Sequence, residues 1–189
     1  MGNWPPRVQA WDLLTRWTHQ PALLRHAIAV EAVMRAIARR YGEDEDLFGL
    51  VGLLHDFDYE AFPAPEDHTV VGGRLLEEAG FPPVIVRAVR SHVDRNGLRR
   101  ESVLEKALYA SDELTGFVLA VAMVRPGRRL AEVTPAAVRR KLKDKSFARG
   151  VSREAVERGL EELGVTLEDH VALVVAALQP LAEDLGLNP

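Results

Sequence analysis

Apolar residues recur along most of the chain at the 3.6-residue spacing of an α-helix. The longest stripe runs from Pro21 to Tyr41, where apolar side chains return every three or four residues. Similar stripes predict further helices at about 7–18, 45–57, 68–79, 82–94, 102–124, 135–144, 153–163 and 167–185. No segment shows the strict apolar and polar alternation of a half-buried strand. The pattern therefore predicts an all-α fold.

Residues at the ends of these stripes are of the types that start and stop helices. Gly42 follows the longest stripe and is predicted to end that helix. Thr134 precedes a proline, and Thr166 is followed three residues later by an aspartate, so both are predicted N-caps. Pro180 should bend or end the last helix, because proline cannot donate the hydrogen bond that a helix interior needs.

The composition is that of a soluble, folded chain. Its 189 residues are 47% hydrophobic and 28% charged, and we expect a single domain over residues 1–189. The chain has no cysteine, which excludes disulfide bonds and thiolate metal sites. The longest uncharged apolar run, from Leu114 to Val124, is too short to span a bilayer, and the N-terminus lacks the apolar core of a signal peptide. We therefore expect a cytoplasmic protein with no membrane partner.

The charges are balanced overall but unevenly distributed. With 24 basic and 28 acidic residues the net charge is −4, which gives no support to nucleic-acid binding, and we expect no nucleic-acid partner. Residues 128–149, however, hold eight basic and two acidic side chains, a local charge of +6. A run of this kind is usually a solvated helix face, but it is also suited to binding phosphate.

Several histidines and one aspartate lie on helix faces that should point into the core. They are His26, His68, His92 and Asp112. A buried carboxylate is destabilising unless it is paired or binds a metal. For any one of these residues, a hydrogen-bonded core role would be the simpler interpretation. Together with the His55-Asp56 pair they favour a metal site, because helical bundles build such sites from inward-facing side chains. His170 lies on a similar apolar face, and we assign it no function.

The order of these residues carries a resemblance to a known family. His26 follows Arg25 within the longest stripe, the His55-Asp56 pair ends the segment Gly49–Asp56, and Asp112 ends the segment Ala107–Asp112. A histidine, then a His-Asp pair, then a distant aspartate, all on helices, resembles the HD superfamily of metal-dependent phosphohydrolases. The resemblance covers about residues 20–125, so we expect residues 126–189 to be helices packed on this core.

A closer resemblance is to an uncharacterised branch of predicted hydrolases. That branch carries His-Asp-x-Asp-Tyr-Glu, here His55–Glu60, and Lys-Asp-Lys-Ser-Phe-Ala-Arg-Gly-Val, here Lys143–Val151. Many HD proteins continue the metal pair as His-Asp-Ile-Gly, whereas this chain has Phe57-Asp58. Substrates of the His-Asp-Ile-Gly members are therefore not carried over to this chain.

The resemblance implies a set of metal ligands. In dinuclear members the aspartate of the pair bridges two metals, so we expect Asp56 to bridge. One metal would be held by His26, His55 and Asp112, and the other by His68 and His92. The alternative is a mononuclear site at which His68 and His92 contact substrate phosphate or transfer protons.

The ligand types limit the metal, and the helix geometry limits where it can bind. Imidazole and carboxylate ligands without thiolate suit Mn, Fe, Co, Ni or Zn, and Mg also fits. Two such ions per chain are expected. Adjacent residues of a helix point about 100° apart, so His55 and Asp56 can share a metal only near a helix end. The segment Phe57–Pro63 is predicted to supply that end.

Three further residues are predicted to take part in catalysis. Asp58 is a general base or a partner that orients a histidine, with loop capping as the alternative. Lys145 and Arg149, together with Lys143, lie in the basic run and are candidates for phosphate capture. Position in the sequence alone favours a solvated face, and the resemblance favours a function for Lys145 and Arg149.

The expected function is hydrolysis of a small phosphorylated molecule, such as a nucleotide, by metal-activated water. A second hypothesis is a di-iron oxygenase, because dinuclear oxygenases of the superfamily have the same ligand order. A third is a non-catalytic HD module that binds a ligand. The sequence makes no prediction of the oligomeric state.

Overall fold

The computed structural model describes residues 2–188, and the regular structure of this part of the chain is helical. Its nine α-helices are α1 (Arg7–Trp17), α2 (Pro21–Tyr41), α3 (Glu45–Leu54), α4 (Val70–Glu78), α5 (Pro83–Ser91), α6 (Val103–Met123), α7 (Pro135–Leu142), α8 (Arg153–Leu163) and α9 (Leu167–Leu178). Short 3₁₀ turns lie at Asp94–Asn96, Pro126–Arg128, Leu130–Glu132 and Gln179–Leu181. Between residues 2 and 188 the β-structure is a single isolated bridge between Arg129 and Asn188. The all-α prediction is confirmed.

The predicted start and stop signals act as expected. Gly42 ends α2 in the left-handed region, with φ 71°, where glycine has no Cβ to strain. The Thr134 hydroxyl accepts a hydrogen bond from the Ala137 amide at 3.2 Å and caps α7. Thr166 caps α9 in the same way. The last helix ends at Leu178, before Pro180.

Among the helices that are shorter than predicted, three are shorter at the end that carries a histidine. The predicted helix 45–57 ends at Leu54, the helix 68–79 begins only at Val70, and the helix 82–94 ends at Ser91. His55, His68 and His92 therefore lie just outside helices. The side chains of His55 and His92 bond to the carbonyls three residues before them, and the Asp58 carboxylate binds the Thr69 amide just before α4; such bonds compete with continuation of a helix.

The described chain divides into two compact units, the first ending at Leu108 and the second beginning at Tyr109. Helix α6 starts in the first unit and continues into the second. This division falls inside the stretch 20–125 predicted as the HD core. The expectation of a single domain with a boundary near residue 125 stays a prediction.

In the first unit, α2 packs along α3, and α3 also contacts α1 and α5. The core between them holds the fully buried side chains of Met34, Ile37, Phe48 and Leu53. The two backbones approach closely at Gly52. A Cβ there would lie 2.9 Å from the Glu31 Cα, which is closer than non-bonded atoms pack. Glycine at this position therefore allows α2 and α3 to come together.

Buried Glu31 joins α1 to α2 through charge. Its carboxylate accepts hydrogen bonds from Arg7 at 2.7–3.0 Å and from Arg35 at 3.1 Å. The cost of burying this carboxylate is offset by two guanidinium partners.

The second unit is built on α7 and α9, which contact each other, and on α8, which approaches α6 at Gly159. Its core includes Val138, Val156, Val171 and Val174. His170 is buried, and its Nε2 lies 3.2 Å from the Ser111 hydroxyl. From residue 2 to residue 188, no helix combines the length and apolar content needed to cross a membrane.

Candidate metal centre

The His55-Asp56 pair lies at the point where α3 ends. His55 still has helical backbone angles, and the chain then turns, with the Tyr59 amide bonding to the Asp56 carbonyl at 3.0 Å. Phe57 is fully buried, and its carbonyl accepts a hydrogen bond from the Thr18 hydroxyl at 2.9 Å, which fixes the turn to the rest of the unit. The helix end predicted for this segment is confirmed. It allows the two adjacent side chains to point to a common place.

Two histidines and the Asp56 carboxylate form a first group. His26, on α2, places its Nε2 3.2 Å from the Nε2 of His55. The His55 Nε2 in turn lies 3.6 Å from Oδ2 of Asp56. One nitrogen or oxygen atom of each of these residues lies within 4.8 Å of the others, close enough to contact one metal ion.

A second group forms on the other oxygen of the same carboxylate. The Nε2 atoms of His68 and His92 both lie 3.2 Å from Oδ1 of Asp56. His68 precedes α4 and His92 follows α5, so two separate helix ends supply these rings. The two oxygens of Asp56 therefore face different sets of histidines.

The hydrogen bonds of the Nδ1 atoms of His55 and His92 show which ring nitrogen carries a proton. The Nδ1–H of His55 donates to the Gly52 carbonyl at 2.8 Å, and that of His92 donates to the Val89 carbonyl at 2.6 Å. A carbonyl oxygen can only accept, so Nδ1 is the protonated nitrogen in each ring. Nε2 is therefore the atom of each ring that faces Asp56, and a ring that has given up its second proton offers the Nε2 lone pair to a metal. This is the arrangement that metal-binding histidines adopt.

His68 is held by Asp58 instead of a carbonyl. Its Nδ1 lies 2.9 Å from Oδ1 of Asp58, and Asp58 has no exposed surface. The other oxygen of Asp58 accepts hydrogen bonds from the amides of Thr69 at 2.7 Å and Gly72 at 3.0 Å. Both carboxylate oxygens are therefore occupied. A Cβ on Gly72 would lie 2.5 Å from Oδ2, so the approach of Asp58 to α4 requires glycine there.

Thr69 completes this arrangement in an unusual backbone conformation. It has φ 66°, which is rare for a β-branched residue and is tolerated only where surrounding contacts fix it. Its amide is bound by Asp58, and its hydroxyl accepts a hydrogen bond from the side-chain amide of Asn96 at 2.6 Å. Asn96 also donates to the Arg90 carbonyl at 2.7 Å, so it links the segment that carries His68 to the end of α5.

The electrostatics of the centre favour an ionised Asp56. Removal from water raises the pKa of Asp56, but the charge of His55 and hydrogen bonds from His68 and His92 lower it to well below the usual range. Burial lowers the pKa of His68, but hydrogen bonds to Asp56 and Asp58 raise it more, to about 9. An ionised carboxylate surrounded by imidazoles that carry protons can exchange those protons for a divalent cation. Metal binding would therefore release protons.

The donor atoms fit a divalent metal. Four imidazole Nε2 atoms and two carboxylate oxygens converge without thiolate, a mixed N and O set that suits transition metals from Mn to Zn. Three of the four rings have their Nδ1 atoms bound to carbonyl or carboxylate oxygens, which orients the ligands before a metal enters. These residues could hold metal.

Three predicted site residues lie in the second unit. Asp112 is partly buried on α6, and its predicted role as a ligand stays a prediction. Lys145 and Arg149 are exposed in the loop between α7 and α8, where they line a cavity. Their predicted role in catalysis also stays a prediction.

Comparison with known protein families gives evidence that is independent of this geometry. Residues 23–116 match the family model described as the HD domain. This chain is an HD-domain protein. The matched range includes all six predicted metal ligands. The resemblance to the HD superfamily is confirmed, as is the all-α character of the fold.

Curated relatives of this HD domain include two ribonucleases. The chain is 29% identical over 146 residues to Ribonuclease Y of Clostridium perfringens (strain 13), covering 76% of this chain and 26% of the relative. It is 29% identical over 154 residues to Ribonuclease Y of Aquifex aeolicus, covering 79% of this chain and 26% of the relative. The chain thus spans about a quarter of the length of these relatives.

The residues that support the candidate ligands of the HD domain were not predicted from their positions in the sequence. Thr69, Gly72 and Asn96 were not predicted as parts of the site, although all three hold Asp58 or the segment that carries His68. Two adjacent glycines inside a predicted helix, at 72–73, were a usable signal, because they indicate close approach by another group. Asn96 carried no signal, because its contacts are made across the fold.

Proposed function

We propose that this HD domain is a metal-dependent phosphohydrolase that acts on a small phosphorylated molecule. The observation that carries the proposal is the position of the Asp56 carboxylate. Its Oδ2 faces His55, while its Oδ1 faces His68 and His92 at 3.2 Å. A carboxylate shared in this way supports a bridge between two metal ions, and paired ions are a recurrent device for phosphoryl transfer.

In this proposal the ligands divide between two ions. His26, His55 and Asp56 would hold the first ion, with Asp112 as a further ligand on the strength of the family's ligand order. Asp56, His68 and His92 would hold the second. The metals would supply Lewis-acid charge to the phosphoryl oxygens and lower the pKa of the attacking water.

The protein's own contribution is to position these ligands. We propose that Asp58 is a positioning residue and not the general base, because it is fully buried and both of its oxygens already accept hydrogen bonds. It would fix the ring of His68 so that Nε2 points at the second ion. This is the second of the two roles considered for Asp58 from the sequence.

Metal analysis combined with a phosphatase assay tests the proposal. The untagged protein, purified without chelator, should contain two divalent metals per chain by inductively coupled plasma mass spectrometry, and it should release phosphate from a chromogenic phosphomonoester. The Asp56→Asn variant should lose most of both. The matched control His19→Gln changes a histidine that is exposed and should lose neither. Absence of bound metal even after soaking in Mn²⁺ or Co²⁺ would contradict the proposal.

The identity of the metal separates hydrolase from oxygenase. If the bound metal is iron, oxygen consumption in the presence of the same phosphate esters should stay at background. Metal-dependent oxygen uptake without phosphate release would instead support the di-iron oxygenase.

RNA hydrolysis is a second candidate, and the similarity to Ribonuclease Y favours it. The net charge of −4, by contrast, favours no nucleic-acid partner. The same protein should be assayed with end-labelled single-stranded RNA beside a nucleoside monophosphate. Release of phosphate from the monophosphate that is faster than cleavage of the RNA supports the small-molecule substrate. Cleavage of the RNA chain that depends on Asp56 supports RNA.

A further inference from the structure

The second unit contains a cavity of about 710 Å³. It is lined by residues of α7, of the loop 143–152, of α8 and of the start of α9. Its lining includes two glutamates, Glu154 and Glu157, and two larger parts of different chemistry. One part is basic and includes Lys143, Lys145 and Arg149, and another is apolar and includes Val151, Val156 and Leu160.

The loop that forms one wall of the cavity is held in place by the guanidinium group of Arg153. This group donates to the carbonyls of Ala148 and Val151, both at 2.7 Å, to that of Asp144 at 3.2 Å and to that of Phe147. Four carbonyls around one cation define the path of the loop. The charge of Arg153 is therefore used in holding the backbone.

Aromatic contacts add to this support. The Arg153 guanidinium stacks on the ring of Phe117, with its carbon 5.1 Å from the ring centre. Phe147, from the loop, packs edge-on against the same ring, with centroids 5.4 Å apart. The ammonium group of Lys141 covers Phe147 at 4.5 Å. The loop is thus anchored from its middle, and its basic side chains project from a fixed backbone.

The three basic lining residues differ from Arg139, a fourth basic residue of the lining, in their ion pairing. Arg139, which also lines the cavity, is paired with Glu168. Within residues 2–188, by contrast, no carboxylate lies within ion-pair distance of Lys143, Lys145 or Arg149. Asp144, which lies between two of them, accepts hydrogen bonds from the amide and hydroxyl of Ser146. Glu154 and Glu157 also line the cavity, but neither lies within ion-pair distance of these three cations. Three cations without a carboxylate partner beside an apolar wall are suited to an anion that carries an apolar group.

We propose that this cavity binds a phosphorylated organic molecule. Lys143, Lys145 and Arg149 bind its phosphate, with arginine contacting two oxygens and lysine acting as a point charge. The apolar part of the molecule packs on Val151, Val156 and Leu160. The proposal does not depend on the proposed function, because every residue that it uses lies in the second unit and none is a predicted metal ligand.

Binding is tested with three small probes on protein treated with chelator, so that the metal centre does not contribute. The probes are phenyl phosphate, inorganic phosphate and phenol. NMR titration of the backbone amides of residues 143–152 reports binding at the cavity itself. Phenyl phosphate should bind at least fivefold more tightly than either part alone. Failure of phenyl phosphate to shift these amides would overturn the proposal.

Matched variants locate the two halves of the site. The double variant Lys145→Gln with Arg149→Gln should weaken phenyl phosphate binding at least tenfold. Arg140→Gln removes a neighbouring exposed charge that does not line the cavity, and it should leave binding unchanged. Val151→Ser should weaken phenyl phosphate more than inorganic phosphate. Equal weakening by Arg140→Gln would mean that only the general positive field attracts the anion, and it would overturn the proposal.

The outcomes separate this site from the metal centre and from RNA. Binding without any phosphatase activity supports the cavity and contradicts the proposed function. A different outcome would be phosphatase activity whose KM is unchanged in the double variant, with no binding of phenyl phosphate after chelation. It would contradict the proposed cavity site and leave the proposed function standing. A single-stranded RNA oligonucleotide that shifts the same amides while phenyl phosphate does not would overturn the small-molecule assignment.

Discussion

Asp58 shows how one buried side chain fixes the direction of another. Its Oδ1 binds the Nδ1 side of His68, and its Oδ2 binds two amides at the start of α4. The ring of His68 is therefore oriented relative to the backbone and not only relative to Asp56. Removing one of these acceptor oxygens should make the His68 ring less well oriented without leaving a cavity in the core.

The Asp58→Asn variant tests this at the second metal position. An asparagine can present only one acceptor oxygen, so either His68 or the amides of Thr69 and Gly72 lose their partner. We expect the affinity for the second ion to fall about 10- to 100-fold, as is usual when a partner of a metal-binding histidine is removed. Competition with a metal-sensitive dye would measure it.

The control for this experiment is Asp67→Asn. Asp67 is an exposed aspartate on the turn that carries His68. Its replacement should leave the affinities for both metal ions unchanged. Equal loss in both variants would mean that the effect comes from the charge of the region and not from the contact with His68.

At this scale the sequence predicted which candidate ligands come together, but not the residues that support them. His26, His55, Asp56, His68 and His92 come together as the resemblance implied. Asn96 could not be predicted, because a side-chain amide that bonds across the fold leaves no periodic pattern in the sequence. Ligands are recognisable by residue type, whereas their supports depend on backbone positions that only the folded chain defines.

Helices were predicted best where local physics determines them. Start and stop residues such as Gly42, Thr134 and Thr166 act within one turn, and their effects were predicted correctly. The ends beside His55, His68 and His92 were extended too far. Apolar periodicity continues through those residues, while long-range contacts such as that of Asp58 with Thr69 end the helices earlier.

The contact between α2 and α3 depends on Gly52, and Gly52→Ala tests it. A Cβ there would meet the backbone of Glu31 and the Val30 carbonyl, both at 2.9 Å, and backbone atoms cannot move aside easily. We expect a loss of about 1–3 kcal/mol in unfolding free energy. Because α2 carries His26 and α3 ends at His55, metal affinity should fall as well. Urea unfolding and metal titration would measure the two effects.

Gly150→Ala is the matched control for this change. Gly150 lies in a loop, and a Cβ there would meet no atom within 4 Å. Its replacement should change unfolding free energy by less than about 0.5 kcal/mol, the range of ordinary surface substitutions. A normal stability for Gly52→Ala would show that α2 and α3 separate at little cost.

Glu60 connects the turn after the His55-Asp56 pair to the start of α2. Its carboxylate accepts hydrogen bonds from the amides of Gln20 and His19, at 2.9 and 2.8 Å, and these bonds lower the pKa of Glu60. A lowered pKa in the folded state means that the stabilisation is present above the ordinary pKa of glutamate and is lost as the pH falls through the lowered value.

The Glu60→Gln variant should therefore melt at a lower temperature than the parent at pH 7, and the difference should shrink towards pH 3. Differential scanning calorimetry at the two pH values would measure it. The exposed Glu66→Gln variant is the control and should show no such pH dependence. A difference that grows towards low pH would contradict the assigned contact.

On the scale of the whole molecule, the chain combines two compact units with different chemistry. The first holds the histidine-rich centre, and the second holds the basic cavity. The periodicity of the sequence predicted the helices of both, but not the division at residues 108–109. That division falls within α6, where a continuous apolar stripe carries no sign of a boundary.

Metal removal should destabilise the first unit, because its ligands come from α2, from the end of α3 and from the segments beside α4 and α5. At a thousandfold excess of Mn²⁺ over Kd, binding would add about 4 kcal/mol. For a chain of this size that corresponds to a rise in Tm on the order of 10 °C. Scanning fluorimetry with Mn²⁺ and with chelator would measure the rise, and Asp56→Asn should show much less. Equal rises in both would place the metal elsewhere.

His55 and His92 share a local arrangement, in that each ring is bound to the carbonyl of the residue three positions before it. This bond forms within a single turn of chain and needs no partner from a distant helix. The freedom of the two rings is therefore lost when the backbone folds, before any ion arrives. The two rings are therefore already oriented when an ion binds, and they keep this orientation when it leaves. Exchange of one metal for another should then proceed without unfolding, at a rate governed by the ion's own loss of water.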